Sequence, residues 1–417
     1  MSDQIVSCAL EGIKVIDVSQ VAAVPMAARY LGDFGADVIH VEHPVNGDSF
    51  RVIQTGMSMT AGVQSEINYV WENYNRNKKS MTLDLSRELG QTILYKLIEK
   101  ADVFLTNMRP FELEKYRLDY GILSQLNPGL IYGALTGYGK KGPERDAPAY
   151  DHAAYWARSG IPHRLTSRMP PVPPGTPPPA FVPAFGDHMA GMTLACGVMT
   201  ALFMRERTGT GQEVGVSLFQ SGVYQLSYDL AGALVTRQDC TRMTSREDAR
   251  SPLVTQYLTK DGRWIVLTEL RPERSWSRFC QAIEREDLEH DPRFASLEAM
   301  TENGTALMHI LEEVFGSRTL EEWRPSLNAA RFPWSPVQTF PEVINDRQAR
   351  DNDFFISYDH PAYGRVEGVA NPVKLSKSPE TVRMPAPEFG QHTEEVLLEL
   401  GYTWEDIAHF EQAGIIA

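Results

Sequence analysis

Residues 14–42 read KVIDVSQVAAVPMAARYLGDFGADVIHVE and carry the clearest structural pattern in the chain. The two ends of this stretch, 14–18 and 37–42, are short runs rich in valine and isoleucine, which favour strands. Between them, residues 25–33 place alanine and leucine on one side of a helix, and Gly35 follows where glycine commonly ends helices. A strand, a helix and a second strand in this order predict two parallel strands joined by a covering helix.

The same alternation continues through the first 140 residues of the chain. Strands are predicted at 80–85, 102–106 and 130–135, and a helix is predicted at 88–100. We therefore expect an α/β fold in which a doubly wound parallel sheet is covered by helices.

A second, smaller domain is expected after residue 225. A β-hairpin pattern at 253–259 and 264–268 precedes charged amphipathic helices, and this combination predicts an α+β domain. We place the large domain at 1–220 and the small domain at 221–335. The proline-rich segment 169–180 cannot join a sheet, and it predicts either a rigid surface loop or a ligand for a binding module.

The composition argues against several classes of protein. The 417 residues carry a formal charge of −14, so the overall field repels nucleic acid and anionic lipid surfaces. Four cysteines without a CxxC pair argue against a zinc ribbon or a disulfide framework. The ten histidines show no metal-ligand spacing such as HExxH, so no metal site is predicted. No signal peptide or membrane-spanning run is visible, which predicts a cytoplasmic protein.

Two motifs resemble catalytic patterns but lack the context that those patterns need. The GxGxxG at 137–142 follows a predicted strand, but Pro143 and a polar stretch come next instead of the helix of a dinucleotide site. The first turn between strand and helix, 19–23, contains no glycine, which excludes a nicotinamide enzyme. Ser217 lies in GVSLF, which lacks the second glycine of a nucleophile elbow.

Asp187 is the residue that the pattern singles out for chemistry. It lies in Phe185-Gly186-Asp187-His188, at the start of a long apolar helix predicted over 187–205. An aspartate in this position can cap the helix, because its carboxylate accepts hydrogen bonds from unpaired backbone N–H groups. It can equally be a nucleophilic carboxylate at the positive end of the helix dipole, with Gly186 allowing a substrate to approach closely.

Several motifs along the chain match one known family. They are the opening stretch from Leu10, NRNKKSMTLDL (75–85), LTGYGKKGP (135–143), AFGDHMAG (184–191), RERTGTGQEVGVSLFQ (205–220), KDGRWIVL (260–267) and GQHTEEVLLELGY (390–402). Through these motifs the sequence resembles, nearly from end to end, a class III CoA-transferase of the CaiB/BaiF family, which includes formyl-CoA and carnitine CoA-transferases. YDHAAYWARSG (150–160) together with the Gly-Asp motif is most similar to the branch that acts on 2-hydroxyacids and aryl-lactates.

The resemblance implies an architecture and a set of partners. The large domain is expected to be Rossmann-like and completed by residues 336–417, and two chains are expected to form an interlaced homodimer. Coenzyme A and acyl-CoA are expected as substrates together with carboxylic acids, with no permanently bound cofactor and neither nucleic acid nor membrane as a partner.

The resemblance also implies roles for individual residues. Asp187 matches the family's nucleophile, which forms an aspartyl–acyl anhydride and then an aspartyl-CoA thioester. Gln20, Tyr150, Asp151 and Gly186 match positions that line the acyl substrate. The positions that match CoA contacts are Ala22, Ala23, His43, Leu83, Asp84, Leu85, Asn107, Met108, Arg109 and Lys115. The alternatives are ordinary surface charge for Arg109 and Lys115, and a core tyrosine beside a capping aspartate for Tyr150 and Asp151.

Some features depart from the formyl-CoA branch, and two other functions stay open. Gln20 stands where that branch has histidine, Pro148 stands where it has lysine, and its glycine-rich lid is missing. The aromatic residues Tyr155, Trp156, Phe181 and Phe185 indicate an apolar or aryl acyl group, or a core role. The alternative functions are racemisation of a 2-methylacyl-CoA, with His152 and Asp187 as the two bases, and a non-catalytic CoA-binding subunit.

Overall fold

Six parallel strands form the central sheet of the protein. The computed structural model describes residues 8–52, 65–166, 181–239 and 251–417, so the proline-rich segment 169–180 lies outside the described residues. The strands are β1 (Lys14–Val18), β2 (Asp37–Glu42), β3 (Lys78–Thr82), β4 (Val103–Thr106), β5 (Ile131–Thr136) and β6 (Glu213–Ser217). Their order in the sheet is β3-β2-β1-β4-β5-β6, which is the order of a Rossmann fold.

Helices cover both faces of this sheet. The helices up to residue 236 are α1 (Ala23–Asp33), α2 (Tyr69–Asn75), α3 (Glu88–Ile98), α4 (Pro110–Lys115), α5 (Tyr120–Leu126), α6 (Ile161–Thr166), α7 (Phe185–Thr208), α8 (Leu218–Gln225) and α9 (Ser227–Thr236), with a π-helical turn at His152–Ala157. Side chains alternate between the faces along each strand. Val15 therefore packs with α1 and α7, whereas its neighbour Ile16 packs with α3 and the C-terminal helices.

The last part of the chain covers the edge of the sheet at β3. It contains the hairpin β10 (Phe355–His360) and β11 (Gly364–Val369), followed by helices α16 (Thr393–Glu399) and α17 (Trp404–Gln412). The backbone N–H of Asn77 donates to Met384 (3.0 Å), and that of His392 donates to Ser80 (2.9 Å). These bonds use polar backbone groups that an open sheet edge would expose.

The chain divides into two compact units. The first contains Met1–Pro162, Ala180–Thr236 and Asn352–Ala417, and the second contains His163–Pro179 and Arg237–Asp351. In the second unit, strands β7 (Gln256–Leu258), β8 (Trp264–Leu267) and β9 (Trp334–Pro336) form an antiparallel sheet in that order. Its helices are α10 (Trp276–Ala282), α11 (Leu297–Glu302), α12 (Gly304–Gly316), α13 (Leu320–Ala329), α14 (Phe340–Ile344) and α15 (Arg347–Asp351). Its core includes Tyr257, Phe279, Phe315 and Trp323.

The fold class predicted from the sequence is confirmed. Both strands predicted in residues 14–42 have the predicted bounds, and the helix between them begins two residues earlier, at Ala23. Strand β6 lies at the sheet edge, and only Ser217 in it is fully buried. Within the described residues, none of the helices combines the length and the apolar character that crossing a bilayer requires.

Candidate active site

The carboxyl ends of the parallel strands form one edge of the sheet, where ligands bind in folds of this type. The chain leaves β1 towards β2 on one side, and β4 lies on the other side of β1. This reversal makes the turn after β1, residues 19–22, the switch point of the sheet. The turn leads directly into α1, whose N-terminus therefore faces the same edge.

Two side chains hold this turn from opposite sides. Asn107, at the end of β4, accepts from the Gln20 N–H (3.1 Å) and donates to the Gln20 carbonyl (2.7 Å). On the side of β2, both carboxylate oxygens of Asp48 accept from the Val21 N–H, at 3.3 and 3.2 Å. Val21 has a φ of 73°, a left-handed conformation that is unfavourable for a β-branched residue.

A buried network of charged side chains lies beneath the turn. The Asp17 carboxylate is 3.0 Å from His40 Nδ1 and 2.9 Å from Lys78 Nζ, and it also accepts from the Ser19 hydroxyl. Burial disfavours the charge on His40, but Asp17 and Asp48 outweigh this effect and raise the pKa of His40 to about 9. These fully buried groups compensate one another, which is the condition under which charges persist in a protein interior.

A second site element is the start of α7, which approaches the same region. Ala184 precedes the helix in the left-handed conformation, with a φ of 57°. Gly186 is the second residue of the helix, and its N–H donates to Asp151 Oδ1 (3.1 Å). A Cβ atom at position 186 would lie 2.2 Å from Asp151 Oδ1 and 2.2 Å from Tyr155 Cγ, so only glycine fits here.

Asp187 is the third residue of α7, and it does not cap the helix. The cap position belongs to Ala184, which leaves the nucleophile interpretation of Asp187 in place. Burial, together with the nearby charge of Asp151, raises the pKa of Asp187 to about 7. Burial also raises the pKa of Asp151, to about 6. Two carboxyl groups that titrate near neutral pH, close to each other, are typical of catalytic sites.

The first turns of α7 pack directly against the turn at the sheet edge. A Cβ atom on Gly191 would lie 2.3 Å from the Ala23 carbonyl oxygen, so glycine allows the two helices to approach closely here. Asp187 precedes Gly191 by four residues and therefore lies on the same face of α7. Asp187 therefore lies on the side of α7 that faces the turn carrying Gln20 and Val21.

Tyr74 and His188 add a second contact between these elements. The Tyr74 hydroxyl is 2.7 Å from His188 Nε2. Burial and the charge of Asp187 raise the pKa of Tyr74, while burial lowers the pKa of His188. Both groups are therefore neutral at physiological pH, which suits a hydrogen bond between a hydroxyl donor and an imidazole acceptor.

An aromatic cluster adjoins the two carboxyl groups. His152 stacks on Phe181 with 4.8 Å between ring centroids, and Trp156 lies 5.9 Å from Phe181 and 5.6 Å from Phe185. The Trp156 side chain approaches the Asp151 carboxyl group and partly offsets the rise in its pKa, whereas the buried Tyr155 hydroxyl has no hydrogen-bond partner among the described residues. A buried polar atom is costly unless it is paired, so this cluster of aromatic and polar groups suits contact with a ligand that has both apolar and polar groups.

The positions that match the family's CoA contacts follow four neighbouring strands along the sheet edge. Ala22 and Ala23 follow β1, His43 follows β2, Leu83, Asp84 and Leu85 follow β3, and Asn107, Met108 and Arg109 follow β4, while Lys115 ends α4. The side chains of the two alanines and two leucines are buried, so only their backbone can meet a ligand. Tyr150, by contrast, is 72% exposed.

The charged members of this set differ in how available they are. Arg109 is paired with Glu112, with 3.0 Å between Nη2 and Oε1, and Lys115 is exposed with its amine 5.1 Å from the centre of the Tyr116 ring. His43 Nδ1 accepts from the Val45 N–H (3.1 Å). Among the described residues, no group of three or more His, Cys, Asp or Glu side chains could hold a metal ion.

The sequence interpretation missed several residues of the site. Sequence patterns do not point to Asp48, Tyr74 and His188 together, because these residues come from three separate parts of the chain. His188 directly follows Asp187 in the motif and so had a signal in the sequence. Asp48 and Tyr74 lie in a loop and a short helix, where no periodic pattern marks them.

Comparisons with known proteins agree with this arrangement. The sequence profile of CoA-transferase family III matches residues 10–393. The chain is 36% identical to (R)-2-hydroxy-4-methylpentanoate CoA-transferase of Clostridioides difficile, over 98% of this chain and 99% of that protein. It is 33% identical to cinnamoyl-CoA:phenyllactate CoA-transferase of Clostridium sporogenes, over 96% and 95%.

A solved structure of a related protein has the same fold. The crystal structure of a CaiB/BaiF family protein from Brucella suis superimposes with a TM-score of 0.78 at 27% identity, over 94% of this chain and 100% of that one. The match of the family profile extends across both units of the chain, and the fold agrees with it. The protein is a CoA-transferase and belongs to CoA-transferase family III.

Proposed function

We propose that the protein transfers CoA from an acyl-CoA to a free 2-hydroxy or aryl carboxylic acid, with Asp187 as the nucleophile. The observation that carries this proposal is the environment of Asp187 in the first turn of α7. Asp187 is half-buried, lies beside Asp151, and follows a glycine that packs against Tyr155. A partly desolvated carboxylate is more reactive than one in water, because it must give up less hydration when it attacks.

The reaction proceeds by four exchanges, each of which replaces one anion with another. An Asp187 oxygen attacks the thioester carbonyl carbon, the C–S bond breaks, and CoA thiolate leaves an aspartyl–acyl anhydride. The thiolate attacks the aspartyl carbonyl carbon and releases the donor carboxylate, which leaves an aspartyl-CoA thioester. The acceptor carboxylate displaces the thiolate to form a second anhydride. The thiolate then attacks the acceptor carbonyl carbon and regenerates Asp187.

The helix N-terminus and the glycine before the nucleophile support these steps. No step requires a net proton transfer, so the site needs no general base. Negative charge develops on the carbonyl oxygen in each addition, and the positive end of the α7 dipole stabilises it there. Gly186 lets the helix start pack closely against Asp151 and Tyr155, which fixes the position of the nucleophile. Exclusion of water protects the anhydrides from hydrolysis.

The aromatic cluster supports the proposed class of acid. Trp156, Phe181 and Phe185 offer apolar contacts to an aliphatic or aryl side chain. The buried Tyr155 hydroxyl can both donate and accept a hydrogen bond, which matches the two roles of a hydroxyl group on the acid. The two relatives named above act, by their names, on a 2-hydroxy acid and an aryl-lactate.

CoA is proposed to lie along the carboxyl edge of β3, β2, β1 and β4. Backbone groups of the turns there would contact the adenosine and pantetheine portions. Arg109 and Lys115 would bring positive charge to the phosphates in an otherwise acidic protein. No cofactor bound permanently is needed for this chemistry.

A homodimer is proposed as the working form. Helix α9 has no fully buried residue in the single chain, and Tyr228 and Val235 on it are 90% and 85% exposed. Apolar residues so exposed on a single helix indicate a protein–protein interface. Sedimentation of the purified protein tests this proposal, and a monomer at micromolar concentration would contradict it.

The decisive experiment is to trap the covalent intermediate. The protein is incubated with a panel of acyl-CoAs, quenched with hydroxylamine or borohydride, and analysed by peptide mass spectrometry. A mass change that maps to Asp187 and disappears in Asp187→Asn is expected. Asp151→Asn serves as the matched control, because it changes the neighbouring carboxyl group and keeps the nucleophile. An unmodified Asp187 combined with solvent deuterium at the substrate α-carbon would favour racemisation instead.

A further inference from the structure

Val21 holds a strained backbone conformation at the switch point of the sheet. Its φ of 73° lies in the left-handed region, where the branched side chain is crowded by its own backbone. Strain of this kind persists only where the surroundings impose it, and it occurs often at ligand sites. The neighbouring Gln20 is held through its backbone by Asn107, but that clamp does not act on residue 21.

The group that holds Val21 is the carboxylate of Asp48. Both of its oxygens lie within 3.3 Å of the Val21 nitrogen, and Oδ1 also accepts from the Phe50 N–H at 2.8 Å. The Asp48 N–H in turn donates to Glu42 Oε2 (3.0 Å), which fixes the loop to the end of β2. Asp48 is 1% exposed, so no water competes for its carboxylate from the surface.

Asp48 is anchored from below by the charged network. His40 Nε2 lies 3.7 Å from Asp48 Oδ2, and His40 Nδ1 is bonded to Asp17. The imidazole therefore stands between two carboxylates, one in the sheet and one at the turn. The imidazole attracts the Asp48 carboxylate by its charge, across a separation that is longer than a hydrogen bond.

The strained turn packs against the start of α7. Val21 and Ala184 contact the same apolar cluster, whose buried members include Ala22, Phe50 and Tyr74. Tyr74 also reaches His188, the residue after Asp187. A change in the conformation of residue 21 would consequently shift the apolar cluster that supports Tyr74 and the start of α7.

We propose that Asp48 is a positioning residue that forces Val21 into the left-handed conformation and thereby sets the turn 20–23 against the nucleophile. The assignment of this turn to the substrate site rests on the proposed function. The left-handed conformation itself does not, and it can be tested without any activity.

The test compares four variants of the full chain. Asp48→Asn keeps the size of the side chain but weakens the acceptor, so the strained valine is expected to relax. Val21→Gly removes the strain, because glycine adopts the left-handed conformation readily. The double variant Val21→Gly/Asp48→Asn should then keep the turn in place. Asp33→Asn is the matched control: Asp33 is also buried and bonded to Arg29 and Arg76, but it lies away from the turn.

Hydrogen exchange of the peptide that contains the turn and the dissociation constant of CoA are measured for each variant. Asp48→Asn should accelerate exchange and weaken CoA binding about tenfold or more, since a hydrogen bond to a charged acceptor is lost. Val21→Gly/Asp48→Asn should restore binding to within about threefold of Val21→Gly. Asp33→Asn should lower the melting temperature without weakening CoA binding.

Two results would overturn the proposal. One is unchanged exchange of the turn in Asp48→Asn, which would show that Asp48 does not hold it. The other is weakened binding that the glycine does not rescue, which would show a general loss of structure. Absence of CoA exchange by the wild-type protein would instead count against the proposed function, and hydrogen exchange and CoA binding would still decide the role of Asp48.

Discussion

Replacing Asp187 with asparagine is expected to remove activity and, at the same time, to stabilise the folded protein at neutral and alkaline pH. The structure gives the reason. Burial and the Asp151 charge raise the pKa of Asp187 to about 7 from its ordinary value of 3.8. The folded state therefore binds this proton more tightly than the unfolded state does, and the ionised carboxylate destabilises the fold. The free energy of unfolding of the wild-type protein therefore falls as pH rises from about 4 to above about 7.

The size of the effect follows from the shift. Each pKa unit corresponds to about 1.4 kcal/mol. Through linkage, the raised pKa of Asp187 lowers the free energy of unfolding by about 2 kcal/mol at pH 5 and by about 4 kcal/mol at pH 8. The stability gained by Asp187→Asn should therefore be about 2–3 kcal/mol larger at pH 8 than at pH 5.

Urea unfolding of the two proteins at both pH values measures this difference directly. Asp187→Ala is the control, because it also removes the titrating group but leaves a different volume and hydrogen-bonding capacity. The absolute stabilities of the two variants should differ, whereas their dependence on pH should be the same.

Two results would refute this reasoning. A stability gap that stays constant between pH 5 and pH 8 would show that Asp187 has an ordinary affinity for its proton. A gap that widens by less than about 1 kcal/mol would show that the folded structure raises the pKa of Asp187 far less than its burial implies. In either case the catalytic role would need another explanation than a desolvated carboxylate.

Three further predictions test the same site. Because the attacking form of Asp187 is ionised, kcat/KM should rise with pH and level off above about pH 7, and a flat profile down to pH 5 would contradict this. Gly186→Ala places a methyl group 2.2 Å from Asp151 Oδ1, so steady-state kinetics should show kcat reduced about a hundredfold or more. Gly191→Ala meets the α1 backbone and should destabilise the fold by about 1–3 kcal/mol in urea unfolding. Gly215→Ala, with open space around it, should cost less, and equal losses would argue against close helix packing.

The sequence alone was sufficient for the fold class and the family. The strand at Lys14–Val18 and the helix that begins at Ala23 follow from local patterns, because side-chain periodicity and β-branching act within a few residues. The Gly-Asp motif marked Asp187 as the candidate nucleophile. The edge position of β6 did not follow, because a strand's neighbours in the sheet come from distant parts of the chain.

The tertiary structure alone decided how the site is assembled. Asp151 lies 36 residues before Asp187, and its carboxyl group reaches the start of α7 only because the π-helical turn packs there. The left-handed conformation of Val21 contradicts the local preference of valine, and it exists because Asp48 and the apolar cluster impose it. The raised pKa of Asp187 is likewise a product of burial. Local sequence encodes secondary structure, whereas strain, desolvation and contacts between distant segments arise only when the whole chain is packed.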